Sequence, residues 1–140
     1  MLKQSGALIA ALVFSGTAHA AALTPTEIVQ RHMAAGAKRD VAGIIADYAE
    51  DAVVLQSGTA LQGKPAIHAF FDRLFPAQPA GTPPPAGPAF TVTKVWADGN
   101  VGFASWSQGT RAGVDEFIVE DGKIKVQAVF IATAPPPAPQ

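Results

Sequence analysis

The chain has 140 residues, 49% of them hydrophobic, with 10 Lys+Arg against 11 Asp+Glu and no cysteine. That length allows one domain, and the apolar content excludes a chain disordered throughout. A formal net charge of -1 gives no electrostatic footprint for nucleic acid or an anionic membrane surface, and without cysteine there is no disulfide framework, thiolate metal site or thiol nucleophile.

Lys3 supplies a short positive start, residues 7–14 (ALIAALVF) are an apolar run, and Ala18-His19-Ala20 is a small-x-small cleavage site. The run is far shorter than the roughly 20 residues a bilayer-spanning helix needs. Residues 1–20 are therefore expected to be a signal peptide, followed by a domain over 21–133 with no membrane attachment after cleavage. A periplasmic or secreted location follows. His19 leaves with the leader, so His32 and His68 are the histidines left for chemistry.

Thr24, Pro25 and Glu27 start a helix, with Thr24 as cap, Pro25 at the first helical position and Glu27 completing a capping box. Ile28, Val29 and His32 then share one face. Asp40 caps a second helix whose Val41, Ile44, Ile45 and Tyr48 follow the i, i+3, i+4, i+7 template. Residues 52–56 (AVVLQ) read as a short strand, Ser57-Gly58 as a turn and 59–61 as a return strand. Pro65 opens a third helix carrying Ile67, Phe70, Phe71, Leu74 and Phe75 at helical spacing. Residues 76–88 hold six of the twelve prolines and can be neither helix interior nor central strand. Four strands follow at 90–96, 101–108, 114–120 and 124–131. Asp98-Gly99-Asn100 and Asp121-Gly122 mark tight hairpins, whereas 109–113 is expected to be a longer, more mobile connection. Residues 134–140 form a proline-rich tail without core residues, expected to be disordered.

The short helices cannot bury their apolar faces alone. The pattern predicts an α+β fold, a strongly curved antiparallel sheet wrapped on three helices of the N-terminal half, leaving a central pocket in the resulting cone.

The order of elements over residues 24–131 resembles the nuclear-transport-factor-2-like superfamily, which includes SnoaL-like polyketide cyclases and ketosteroid isomerases. The segments that carry the likeness are 29–32 (VQRH), 40–54 (DVAGIIADYAEDAVV), 63–67 (GKPAI), 114–117 (VDEF) and 121–124 (DGKI). That fold hosts enzymes, binding modules and assembly domains. In its isomerases a first-helix Tyr and a protonated late-strand Asp form an oxyanion hole, while a second Asp moves the proton. The resemblance puts His32 at the Tyr position, Asp115 at the oxyanion-hole Asp and Gln56 at the general base. An amide cannot accept and return a proton, which argues against a steroid isomerase of the usual mechanism.

Individually, His32 is either a core histidine satisfied by one hydrogen bond or an acid–base group in the pocket. Asp115 shares strand parity with Phe117 and Val119, so its carboxyl must be hydrogen-bonded or protonated; the competing readings are a cap on the 109–113 connection or a pair with Arg111. Tyr48 packs in the core or turns its hydroxyl to the pocket, and Gln56 is a pocket hydrogen bonder. Trp96 and Trp106 are core, cavity wall or dimer surface. His68 is a partly exposed bystander, and Asp47, Glu50 and Asp51 are solvated charges or a strand-entry cap. Two histidines on separate helices make no zinc signature, and no cofactor is expected.

These readings lead to an exported protein that binds a small, mostly apolar or carbonyl-containing molecule through Tyr48, Gln56, Trp96 and Phe117. It is expected to be a homodimer through the outer face of the sheet. The alternative is an isomerase, cyclase or dehydratase using His32 and Asp115 for acid–base or oxyanion chemistry. A third class is an assembly domain with a vestigial pocket.

Overall fold

The computed structural model describes residues 22–133 apart from residues 80 and 84. The expected signal peptide (1–20) and proline-rich tail (134–140) lie outside the described residues. The first helix, α1 (Pro25–Ala37), begins as its sequence dictates: the Thr24 hydroxyl accepts from the Glu27 N–H, and the Glu27 carboxylate accepts from the Thr24 N–H at 2.8 Å. Asp40 caps α2 (Val41–Asp47) by accepting from the Gly43 N–H at 3.0 Å. There follow β1 (Tyr48–Gln56), β2 (Thr59–Gln62), α3 (Lys64–Leu74), β3 (Thr91–Asp98), β4 (Val101–Gln108), β5 (Arg111–Glu120) and β6 (Lys123–Thr133).

Tyr48 departs from its expected place. The helical stripe runs one residue too far, because the chain turns extended at Tyr48 and pairs there with Ile124 of β6. Sheet pairing overrides a local helical pattern at this boundary. β1 is correspondingly longer than the expected 52–56.

The six strands form one sheet in the order β2-β1-β6-β5-β4-β3. Its neighbours are antiparallel except β1 and β6, which run parallel. The sheet is thus mixed where an antiparallel one was expected, because the last strand returns beside the first one after β2, α3 and the β3–β5 meander. β2 and β3 remain as edges, so the sheet stays open. α1 lies over β3 and β4 and against α2, and α3 lies over β1.

The 109–113 connection is not long. Gln108 pairs with Arg111, leaving Gly109 and Thr110 as a two-residue turn. Gly109 takes φ 61, which favours glycine, and a side chain there would start 2.9 Å from Pro88 Cγ. The Gln108 side chain donates to the Pro88 carbonyl at 3.3 Å. Pro88 is thereby held against this hairpin.

The core lies between the helices and the inner sheet face. Ile28 and Val29 of α1, Ile44 of α2, Tyr48 and Val54 of β1, Ile67 of α3, Phe117 of β5 and Ile124 of β6 are all at most 1% exposed. Full burial of each such aliphatic or aromatic side chain contributes about 1.5–3 kcal/mol before entropy is counted.

Candidate functional site

A cavity of about 480 Å³ opens among α1, α3, the 85–90 segment and strands β4 to β6. Phe70 and Phe71 of α3 and Phe75 just after it, with Phe90, Trp106 and Val129, give it apolar walls; His32, Gln56, Gln108, Asp115 and Gln127 bring polar groups to it.

Asp115 faces inward because β5 alternates, with Asp115, Phe117 and Val119 buried on one side. Both carboxylate oxygens are used. Oδ1 accepts from the Trp106 indole N–H at 2.8 Å, and Oδ2 accepts from the Gln127 amide at 2.8 Å. Trp106 can lie across β5 because its partner there is Gly113, where a Cβ would come within 2.4 Å of the indole. Asp115 therefore neither caps the hairpin nor pairs with Arg111. Burial raises the Asp115 carboxyl above its ordinary range, opposed by the Trp106 and Gln127 hydrogen bonds and by attraction to His32.

Gln127 carries the network onward, since its Oε1 accepts from the Tyr48 hydroxyl. That phenol is fully buried; burial first, then the Asp115 and Asp47 charges, push it well above its ordinary value. Tyr48 is accordingly a neutral donor. Its oxygen lies 3.5 Å from His32 Nε2, and His32 Nδ1 lies 3.7 Å from Asp47 Oδ2. The imidazole meets the Tyr48 and Phe117 rings edge-on, with centroids 5.1 and 5.5 Å away. His32 Nδ1 and Asp47 Oδ2 are the two buried side-chain atoms without a hydrogen-bond partner among the described residues.

Asp47 anchors the far end. It is 1% exposed, and its Oδ1 accepts from Arg31 Nε at 2.8 Å with Nη2 at 2.5 Å. Burial pushes this carboxyl up, but the Arg31 hydrogen bond and the nearness of the His32 imidazole, with electrostatic attraction to both, bring it below the ordinary value. One polar file thus runs from the exposed Arg31 inward through the buried Asp47, His32, Tyr48, Gln127, Asp115 and Trp106.

His32, Asp115 and Gln56 all line the cavity as their sequence positions suggest. Tyr48 and Phe117 are buried behind its wall, not on it; Tyr48 acts on the cavity only through Gln127 and His32. Trp96 is elsewhere. A register shift between Val92 and Lys94 resets the alternation of β3, so Trp96 opposes Phe103, stacks on it at 5.1 Å and turns away from the cavity. Asp47 is a buried partner of Arg31 instead of a solvated charge. Glu50 and Asp51 do sit at the surface, paired with Lys64 and Lys125, and His68 is exposed beside Asp72. Sequence reasoning missed Gln127, although a lone amide in strand parity with Val129 and Ile131 was a visible signal. Among the described residues, no group of three or more His, Asp or Glu side chains is placed to hold a metal ion.

A SnoaL-like domain is matched over residues 29–127, a span holding both His32 and Asp115. Among solved structures, a nuclear-transport-factor-2-like protein of unknown function from Burkholderia xenovorans aligns at 24% identity and TM-score 0.62, over 82% of this chain and 87% of its own. A candidate ketosteroid isomerase from Kribbella flavida aligns at 21% identity and TM-score 0.62, over 83% of each chain. A candidate polyketide cyclase from Sinorhizobium meliloti aligns at 19% identity and TM-score 0.56, over 73% of this chain and 92% of its own. At these identities the likeness is one of fold. None of the curated protein sequences matches the chain.

Proposed function

This chain belongs to the SnoaL-like domain family, and we propose that it binds a small, mostly apolar, carbonyl-containing molecule in the cavity above. The observation that carries this reading is the cavity itself: about 480 Å³ of space walled by aromatic side chains around a few fixed polar groups. That size and chemistry match small-molecule sites in general. The Gln56 amide offers a hydrogen bond to a carbonyl oxygen, and the aromatic walls take the hydrocarbon. Thermal-shift screening with hydrophobic aldehydes and ketones tests it. A ligand at a hundred times its Kd adds about 2.7 kcal/mol to stability, which raises Tm by several degrees; silence across a broad library refutes the reading.

One observation favours a second, enzymatic reading. Asp115 is a buried acid with a raised pKa facing an apolar cavity shared with His32, a combination common at catalytic sites. In that reading the ionised Asp115 takes a proton from the carbon beside the bound carbonyl and returns it elsewhere on the same molecule. Likeness of fold to candidate isomerases and cyclases supports it. Exchange of that proton for deuterium in D2O, lost in Asp115→Asn, is the expected signature.

The proposal extends to an exported homodimer. The pattern of residues 1–20 supports export, checked by sequencing the N-terminus of the exported product. The apolar outer face of the sheet supports the dimer, since Phe130 there is 59% exposed.

A further inference from the structure

Two guanidinium groups stand at the cavity and take no part in the file of residues around Asp115. Arg39 lies in the turn between α1 and α2, its guanidinium 5.6 Å from the centroid of the Phe75 ring. Arg111 opens β5. Both line the cavity and both are exposed, whereas Asp115 within is 6% exposed. Among the described residues neither arginine makes an ion pair. Asp40, next to Arg39, is engaged with the Gly43 N–H. Charge is therefore divided along the cavity, with cations at its mouth and an acid inside.

We propose that the site selects an organic monocarboxylate, its apolar body among Phe71, Phe75 and Phe90 and its carboxylate at the mouth on Arg39 and Arg111. The inference rests on the ligand-binding reading and adds the ligand's charge and direction. The reverse direction would bring two acids together in a poorly solvated space, where like charges repel strongly. A guanidinium lying against an aromatic ring keeps its N–H edge free, and that edge matches a carboxylate in a planar two-bond geometry.

The test uses the neutral fluorophore N-phenyl-1-naphthylamine, whose emission rises in apolar cavities, displaced by 2-naphthoate or by its uncharged methyl ester. The acid is expected to displace the fluorophore roughly twofold to fivefold better than the ester, within the range for an exposed charge pair. This ratio should fall toward one with added salt and in the Arg39→Gln/Arg111→Gln variant. It should persist in part in Arg39→Lys/Arg111→Lys, which keeps the charge. Because each ratio is taken within one protein, a general loss of binding does not mimic a loss of selectivity. Fluorophore uptake with equal displacement by acid and ester overturns the carboxylate inference alone, as does a preference that survives the double Gln variant. Failure to take up the fluorophore or either naphthalene compound overturns the cavity reading, and the preference with it.

Discussion

His32 and Asp115 line one cavity but are joined by contact through two intervening side chains: Tyr48, 3.5 Å from His32 Nε2, and Gln127, which accepts from Tyr48 and donates to Asp115 at 2.8 Å. The pair expected from sequence is real as a shared setting and indirect as a contact. What couples them is an amide, which can both accept and donate but cannot itself titrate.

Gln127→Leu should therefore be costly out of proportion to its size. The Tyr48 hydroxyl loses its acceptor and Asp115 loses one of two donors, both in buried surroundings. A loss of about 2–4 kcal/mol in urea denaturation is expected. Adding Tyr48→Phe to that variant removes one of the stranded groups, so the double variant should cost less than the sum of the singles.

Asp115 sets a pH dependence of definite sign. Its folded pKa is raised above the ordinary 3.8 by burial, so the folded state binds its proton more tightly than the unfolded state. The stabilisation this gives is fully present below the unfolded pKa and lost as pH climbs through the folded one. Asp115→Asn has no such titration. The stability gap between wild type and Asp115→Asn, followed by chemical denaturation, should narrow as pH rises from below 3.8 through the mildly acidic range, and a gap that widens there contradicts the assignment.

Much of this fold is legible because its periods are local. The α1 capping box, the α3 aromatic stripe and the inward parity of Asp115 with Phe117 each follow from a few neighbouring residues. The failures share a different cause. Tyr48 completes a helical stripe by spacing, yet a strand far along the chain claims it, and no local pattern announces the parallel pairing of β1 with β6. Trp96 has the parity of a cavity residue only if β3 is regular, and the register shift near Thr93 reverses it. Asp47 looks solvated until Arg31, sixteen residues earlier, is seen to fold over it.

Asp47 should control the tautomer of His32. Its Oδ2 faces Nδ1 at 3.7 Å, and a carboxylate there favours a proton on Nδ1, whereas the Tyr48 oxygen, its own proton given to Gln127, favours one on Nε2. Nitrogen chemical shifts of the neutral ring should therefore move toward the Nε2–H form in Asp47→Asn relative to wild type. Because the Asp47 folded pKa is lowered, its contribution to stability is present above the unfolded value and lost as pH falls through the folded one. Asp47→Asn should therefore flatten the acid limb of the stability profile, the opposite sign to Asp115.

The outer sheet face supplies the last expectation. Strand register sets Leu55, Ala128, Glu116, Phe103 and Trp96 in one row across the sheet, with Val114 and Phe130 paired in the adjacent stretch. Phe130 is 59%, Leu55 44% and Val114 37% exposed, an apolar concentration that single chains seldom leave in water. A second copy would cover it by the same residues, as a two-fold interface requires. Phe130→Glu puts a like charge opposite itself across such an axis without touching the cavity, so sedimentation equilibrium should show wild type as a dimer and the variant shifted to monomer, with fluorophore uptake by the cavity retained. A wild-type chain that sediments as a monomer at tens of micromolar would remove the dimer while leaving the cavity reading untouched.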